Sequence, residues 1–190
     1  AGTLDPLATG VVIICTGKAT KRIDEYMGHD KEYVATICLG ATTPSYDLEK
    51  EIDATYPYEH ITREQVEGVL SSQFLGEIEQ VPPMFSAIRI DGKRAYEYAR
   101  KGDETVELKS RKITIREIEI LDFNLPYVTL RVVCSKGTYI RSIARDLGVA
   151  LGSGGHLTAL RRTAVGDVKV EDTQSVETFI SSLEEKGKTL

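Results

Sequence analysis

The chain has no tryptophan, three cysteines, three histidines, and no apolar run long enough to cross a bilayer. Each scarcity excludes something. Cys15, Cys38 and Cys134 are odd in number, far apart and set in apolar stretches. That argues for reduced core thiols in a cytoplasmic protein and against a disulfide framework. His29, His60 and His156 are scattered without ligand spacing, so no metal site is expected. No signal-peptide pattern opens the chain, and no membrane partner is expected. With 24 Lys and Arg against 29 Asp and Glu, the formal charge is -5. A global basic excess is therefore lacking, and any nucleic-acid surface must be a local patch.

What is present is ordinary globular material: 190 residues, 41% hydrophobic and 28% charged. That length suits one domain with a full core, or one domain plus a small subdomain. The chain opens inside a motif without a methionine, and an upstream segment is expected to be missing.

The apolar run Val11-Val12-Ile13-Ile14-Cys15 reads as a buried strand, and residues 17–27 as a short helix. Residues 32–39 alternate, with Tyr33, Ala35, Ile37 and Leu39 on one face, and end at Gly40. Residues 41–60 are polar and turn-rich. Thr62 with Gln65 resembles a capping box, and Val66, Val69, Leu70 and Phe74 form one helical stripe before Gly76. Pro82-Pro83 breaks the chain. A strand over 84–90, a turn at Asp91-Gly92 and a basic, tyrosine-bearing helix over 94–101 are expected next. Two long strands over 108–121 and 127–135 follow. A helix carrying Ile140, Ile143, Ala144, Leu147 and Leu151 leads into a glycine-rich loop, then a strand near 159–170 and a helix near 173–185. Strands outnumber crossover helices, so the fold class is α+β: a mixed, mostly antiparallel sheet flanked by helices.

Four clusters carry chemistry. In Gly2-Thr3-Leu4-Asp5-Pro6-Leu7-Ala8-Thr9-Gly10, a lone carboxylate sits on a turn stiffened by proline. Lys31-Glu32-Tyr33 opens a strand with two charges and an aromatic. Lys136-Gly137-Thr138-Tyr139-Ile140-Arg141 lies at a strand-to-helix seam, where the plain reading is a turn and a helix N-cap. Leu160-Arg161-Arg162 enters a strand, and in isolation its arginines read as a solvated pair. Together they supply a fixed anion, an aromatic platform and cations at element ends. Such parts suit an everted nucleotide, with its base on the aromatic, phosphates on Arg and Lys, and a carboxylate at the sugar.

These segments, together with Val81-Pro82-Pro83-Met84-Phe85-Ser86-Ala87, resemble the TruB family of tRNA pseudouridine synthases in order and spacing over nearly the whole chain. The resemblance implies a pseudouridine synthase fold and an isomerase that converts uridine 55, in the T-loop of tRNA, to pseudouridine. By the same resemblance Asp5 is the catalytic aspartate, Tyr33 stacks on the target base, and Arg141 pairs with the Asp5 carboxylate. Tyr139 and Leu160 would line the pocket, with Lys21 and Asp47 near it. A catalytic domain over 1–190 is expected, with 82–107 as an RNA-gripping thumb. The family's upstream Lys-Pro-rich segment and its small C-terminal RNA-binding domain are expected to be missing. The partner would be the tRNA T-arm, bound by a monomer. The reaction breaks an N-glycosidic bond and rejoins the base through carbon without redox change, so no cofactor is expected. Attack on the ribose, addition to the ring and removal of a sugar proton are all open to the carboxylate.

The alternative is an RNA-binding module that remodels tRNA folding without turnover. An acid at the centre of a cation-seeking surface favours the enzyme. A two-carboxylate hydrolase with Asp47 or Asp53 as partner lacks a glycosidase-like spacing.

Overall fold

The computed structural model describes residues 1–86, 89–90, 93–102 and 108–187. Its strands in chain order are β1 (Thr9–Gly10), β2 (Lys31–Leu39), β3 (Ala41–Thr42), β4 (Ala54–Thr55), β5 (Gly76–Gln80), β6 (Arg89–Ile90), β7 (Lys93–Arg94), β8 (Arg111–Asn124), β9 (Tyr127–Cys134), β10 (Gly155–Val165) and β11 (Val168–Lys169). Its helices are α1 (Ile23–Gly28), α2 (Arg63–Val69), α3 (Ala95–Arg100), α4 (Ile140–Ala150) and α5 (Val176–Gly187), with a 3₁₀ turn over Gly17–Arg22 leading into α1.

Seven strands make one sheet in the order β1-β10-β2-β9-β8-β5, with β11 paired to β10. Only β1 runs parallel to its neighbour, so the sheet is mixed and mostly antiparallel, as expected. Alternation sets its two faces. Every odd position of β2 is buried, and Tyr33, Ala35 and Ile37 lie opposite Val132, Leu130 and Val128 of β9. That face meets Val66, Leu70 and Phe74 from α2 and the turn after it, and Ile140, Ile143, Ala144 and Leu147 from α4. The capping box forms in full, with Thr62 Oγ1 accepting from Gln65 N–H and Gln65 Oε1 from Thr62 N–H. Such a cap contributes about 1 kcal/mol to an otherwise short helix. The opposite face is half-exposed. There Arg131 gathers Glu32, Glu117 and Glu119, and Thr163 donates to Glu32.

Several expectations change. Residues 11–15 are not a buried strand. Pairing stops at Gly10, only Val11 is buried, and Ile14 is 76% exposed. The strand expected from 159 begins at Gly155, because glycines there let β10 pass close to α4: a Cβ on Gly155 would lie 2.7 Å from the Ala144 carbonyl oxygen. Of the described residues in 84–90, Arg89–Ile90 are strand, paired with Lys93–Arg94, and 84–86 are not; residues 87–88 and the Asp91-Gly92 turn lie outside the described residues. Thr138 is not the helix cap; its hydroxyl bonds Ser135 O, and Tyr139 is the N-cap of α4.

Among the described residues no helix is long and apolar enough to cross a membrane, and no group of three or more His, Cys, Asp or Glu gathers as a metal site.

Candidate active site

Asp5-Pro6-Leu7-Ala8 is a β-turn closed by Ala8 N–H on the Asp5 carbonyl at 2.9 Å, with proline at the position that its fixed φ favours. The turn runs directly into β1, whose parallel pairing with Arg161 and Arg162 holds it against β10. Gly10, at φ +111°, passes so near Arg162 that a Cβ there would sit 2.1 Å from the Arg162 carbonyl oxygen. No residue with a side chain fits this crossing.

Arg162 is the second anchor. It is only 1% exposed; its Nε donates to Val11 O at 2.9 Å and its Nη2 to Gly2 O at 2.8 Å. One guanidinium thus bonds the chain on both sides of Asp5, and Arg162 lies opposite Tyr33 of β2 in the sheet register. Arg162 is therefore not half of a solvated pair; Arg161 alone is exposed. Lys31 is likewise buried, with Nζ donating to Met27 O and His29 O, so it offers no free cation for a phosphate. Burial, with Arg162 close by, lowers the Lys31 amine below its usual range. Burial pushes the Tyr33 phenol upward, and so keeps it neutral.

Asp5 and Arg141 meet as expected from the sequence. Arg141 Nε donates to Asp5 Oδ2 at 2.9 Å and Nη2 to Oδ1 at 3.0 Å, a bidentate pair between residues 136 apart. The remaining nitrogen, Nη1, donates to Phe85 O at 2.8 Å and Ser45 O at 3.3 Å. Arg141 is 3% exposed while Asp5 is 30% exposed, so the cation lies behind and the carboxylate faces out. Asp47 stands beside them, its Oδ2 3.9 Å from Arg141 Nε. Its other oxygen accepts from Ser45 Oγ and Glu49 N–H. Tyr46 between Ser45 and Asp47 takes φ +57°, a strained choice for a tyrosine, and is held by Leu157 N–H on its carbonyl and by Arg145 over its ring.

The carboxylate opens on a narrow cleft of about 30 Å³ whose lining includes Asp5, Leu7, Asp47, Leu48, Leu157 and Leu160. A β-bulge between Leu157 and Ala159 re-aims that stretch of β10 beside the cleft. The walls are apolar and the floor is charged. As it stands this space admits only water-sized groups beside the carboxylate, so a nucleobase enters only when the walls part.

Of the residues singled out from sequence, Asp5, Asp47 and Leu160 line this cleft and Arg141 backs it. Tyr33 is buried at 9% exposure and is not part of the cleft lining. Tyr139 is half-buried at the start of α4, with Arg111 over its ring at 5.4 Å. Lys21 is exposed on the 3₁₀ turn and outside the cleft lining. Sequence reasoning missed the Ser45 and Phe85 carbonyls that hold Arg141 and the Gln80 side chain that holds the Tyr139 backbone; nothing local marks any of them as a partner of a residue so far along the chain.

Residues 1–140 match the model of the TruB family pseudouridylate synthase (N terminal domain), and residues 141–188 that of the tRNA pseudouridylate synthase B C-terminal domain. The boundary between the two falls inside α4, and β10 beyond it is integral to the sheet. The chain is 67% identical over 186 residues to the tRNA pseudouridine synthase B of Phocaeicola vulgatus, covering 98% of this chain and 78% of that protein. It is 70% identical over 171 residues to that of Bacteroides fragilis, covering 90% and 72%. Among solved structures, a Cbf5-Nop10-Gar1 complex contains a chain that matches with a TM-score of 0.72 at 28% identity, over 98% of this chain and 46% of the other.

Proposed function

The chain belongs to the TruB family of tRNA pseudouridine synthases, and from that premise we propose that it isomerises uridine 55 in the T-loop of tRNA, with Asp5 as the catalytic group. The observation that carries the assignment is the bidentate Arg141–Asp5 pair at the cleft, cation behind and carboxylate outward. An ionised acid held stiffly by a guanidinium needs no reorganisation when a nucleoside arrives. In the isomerisation the N1–C1′ bond breaks, uracil turns, and a C5–C1′ bond forms. The C5 proton leaves and N1 gains one, so the atoms balance without a co-reactant.

Everting the base costs a few kcal/mol. Stacking on the Tyr33 ring, at roughly 1–3 kcal/mol, offsets part of that cost. Leu160 and Tyr139 border the base, Asp47 holds polar contacts at the rim, and exposed Lys21 meets the RNA backbone. The segment 82–107, which includes the β6–β7 hairpin and α3, grips the T-arm. Its Tyr96 lies within cation–π distance of Arg94 and Arg100, a surface suited to phosphate and base together. The compartment we propose for it is the cytoplasm.

The test is to incubate the chain with an unmodified tRNA transcript and map pseudouridine by mass spectrometry. A single product at position 55 is expected. Product at other uridines only, or at none, overturns the assignment.

A further inference from the structure

Gln80 ends β5 and is 1% exposed, a burial uncommon for an amide. Its side chain lies along the backbone of Tyr139: Oε1 accepts Tyr139 N–H at 2.9 Å and Nε2 donates to Tyr139 O at 3.2 Å. The amide therefore acts as one more peptide group, bonded on both sides to the residue that caps α4. Tyr139 makes no side-chain cap of its own, so Gln80 supplies what local sequence does not. Arg141 follows two residues later. The neighbours of Gln80 continue the seam: Val81 O accepts from Ser142 Oγ at 2.8 Å and Arg145 Nη2 at 2.7 Å, and Phe85 O accepts from Arg141 Nη1.

We propose that Gln80 is a positioning residue for the reaction: its amide fixes the entry of α4 and thereby the guanidinium plane that holds Asp5. The proposal rests on Asp5 being the catalytic group. Bidentate pairing requires the Arg141 fork and the carboxylate to stay nearly coplanar. Asp5 is fixed independently, by its turn and by β1, so a tilt of the first turn of α4 is not followed by the acid. Misplacing a reacting group by about 1 Å can cost roughly 10²-fold in rate.

The experiment compares single-turnover rate, tRNA affinity and melting for wild type, Gln80→Leu and Gln80→Glu, with Asp5→Asn as control. Leucine fills similar space and removes both bonds. The expected result is a rate lower by about 10–100-fold with tRNA affinity within about twofold. Glutamate gives a pH signature. Ionised, it accepts from Tyr139 N–H but opposes Tyr139 O; protonated, it restores both bonds. The ratio of the Gln80→Glu rate to the wild-type rate should rise as pH falls and the carboxyl takes up its proton, a change that a purely structural role does not produce. Should the leucine variant unfold, this ratio decides. A folded leucine variant at wild-type rate, a loss matched by lost tRNA affinity, or a flat ratio would overturn the role of Gln80. Activity in Asp5→Asn would instead overturn the catalytic assignment beneath it.

Discussion

Gly10→Ala puts a methyl group where there is no room for one. The new Cβ would fall 2.1 Å from the Arg162 carbonyl oxygen, whereas ordinary contact begins at 3.4 Å. Loop or strand must yield by about 1.3 Å, the difference between the two. β10 is pinned by its long antiparallel pairing with β2, so the yielding part is the Asp5 loop at the sheet edge. A shift of this size breaks a bidentate pair made at 2.9 and 3.0 Å. The expected rate loss is about 10²-fold, the usual cost of roughly 1 Å of misplacement. Overpacking costs about 1–3 kcal/mol, and a positive φ on alanine adds about 1–2 kcal/mol. Together these are about 2–5 kcal/mol against a total stability of about 5–15 kcal/mol, so folding of the variant is checked by its melting. The assay is single-turnover pseudouridine formation at saturating tRNA, below a melting temperature measured in parallel. A folded Gly10→Ala protein within threefold of the wild-type rate would refute the claim that this crossing aims Asp5.

Arg141→Met should cost about 3 kcal/mol in denaturant unfolding, because Asp5 and two carbonyls lose their partner, and should abolish turnover; retained turnover would contradict the pairing. Glu32 is held below the usual carboxylate range first by the Thr163 hydroxyl and then by Arg131. The stability it contributes is complete above the ordinary carboxylate range and is lost as pH falls through the lowered folded value. Glu32→Gln should therefore flatten the acid limb of stability against pH, and an unchanged slope would refute this. Burial pushes the Cys134 thiol up to about 12. Alkylation near neutral pH followed by mass spectrometry should then label Cys134 only in denaturant; labelling in the native protein would show that the strand end opens.

The elements legible in the sequence were those whose signal is local. Alternation over 32–39 placed the central strand, the Thr62–Gln65 box started α2, and the apolar spacing from Ile140 gave α4. The Asp5 turn and its Arg141 partner were legible through a motif resemblance, not through spacing. What stayed hidden depends on partners far away in the chain. Val11-Val12-Ile13-Ile14-Cys15 has the composition of a core strand, yet pairing ends at Gly10 and its side chains stay largely outside. Arg162 and Lys31 look like surface cations, but carbonyls of Gly2, Val11, Met27 and His29 satisfy them inside. Gln80 carries no local mark at all, and its role shows only once Tyr139 lies against it.

Asp5→Asn keeps the size of the side chain and removes its charge, so it separates chemistry from binding. The measurement is tRNA affinity together with pseudouridine formed after long incubation. The account predicts affinity close to wild type and no product; pseudouridine at position 55 made by the asparagine variant would contradict it.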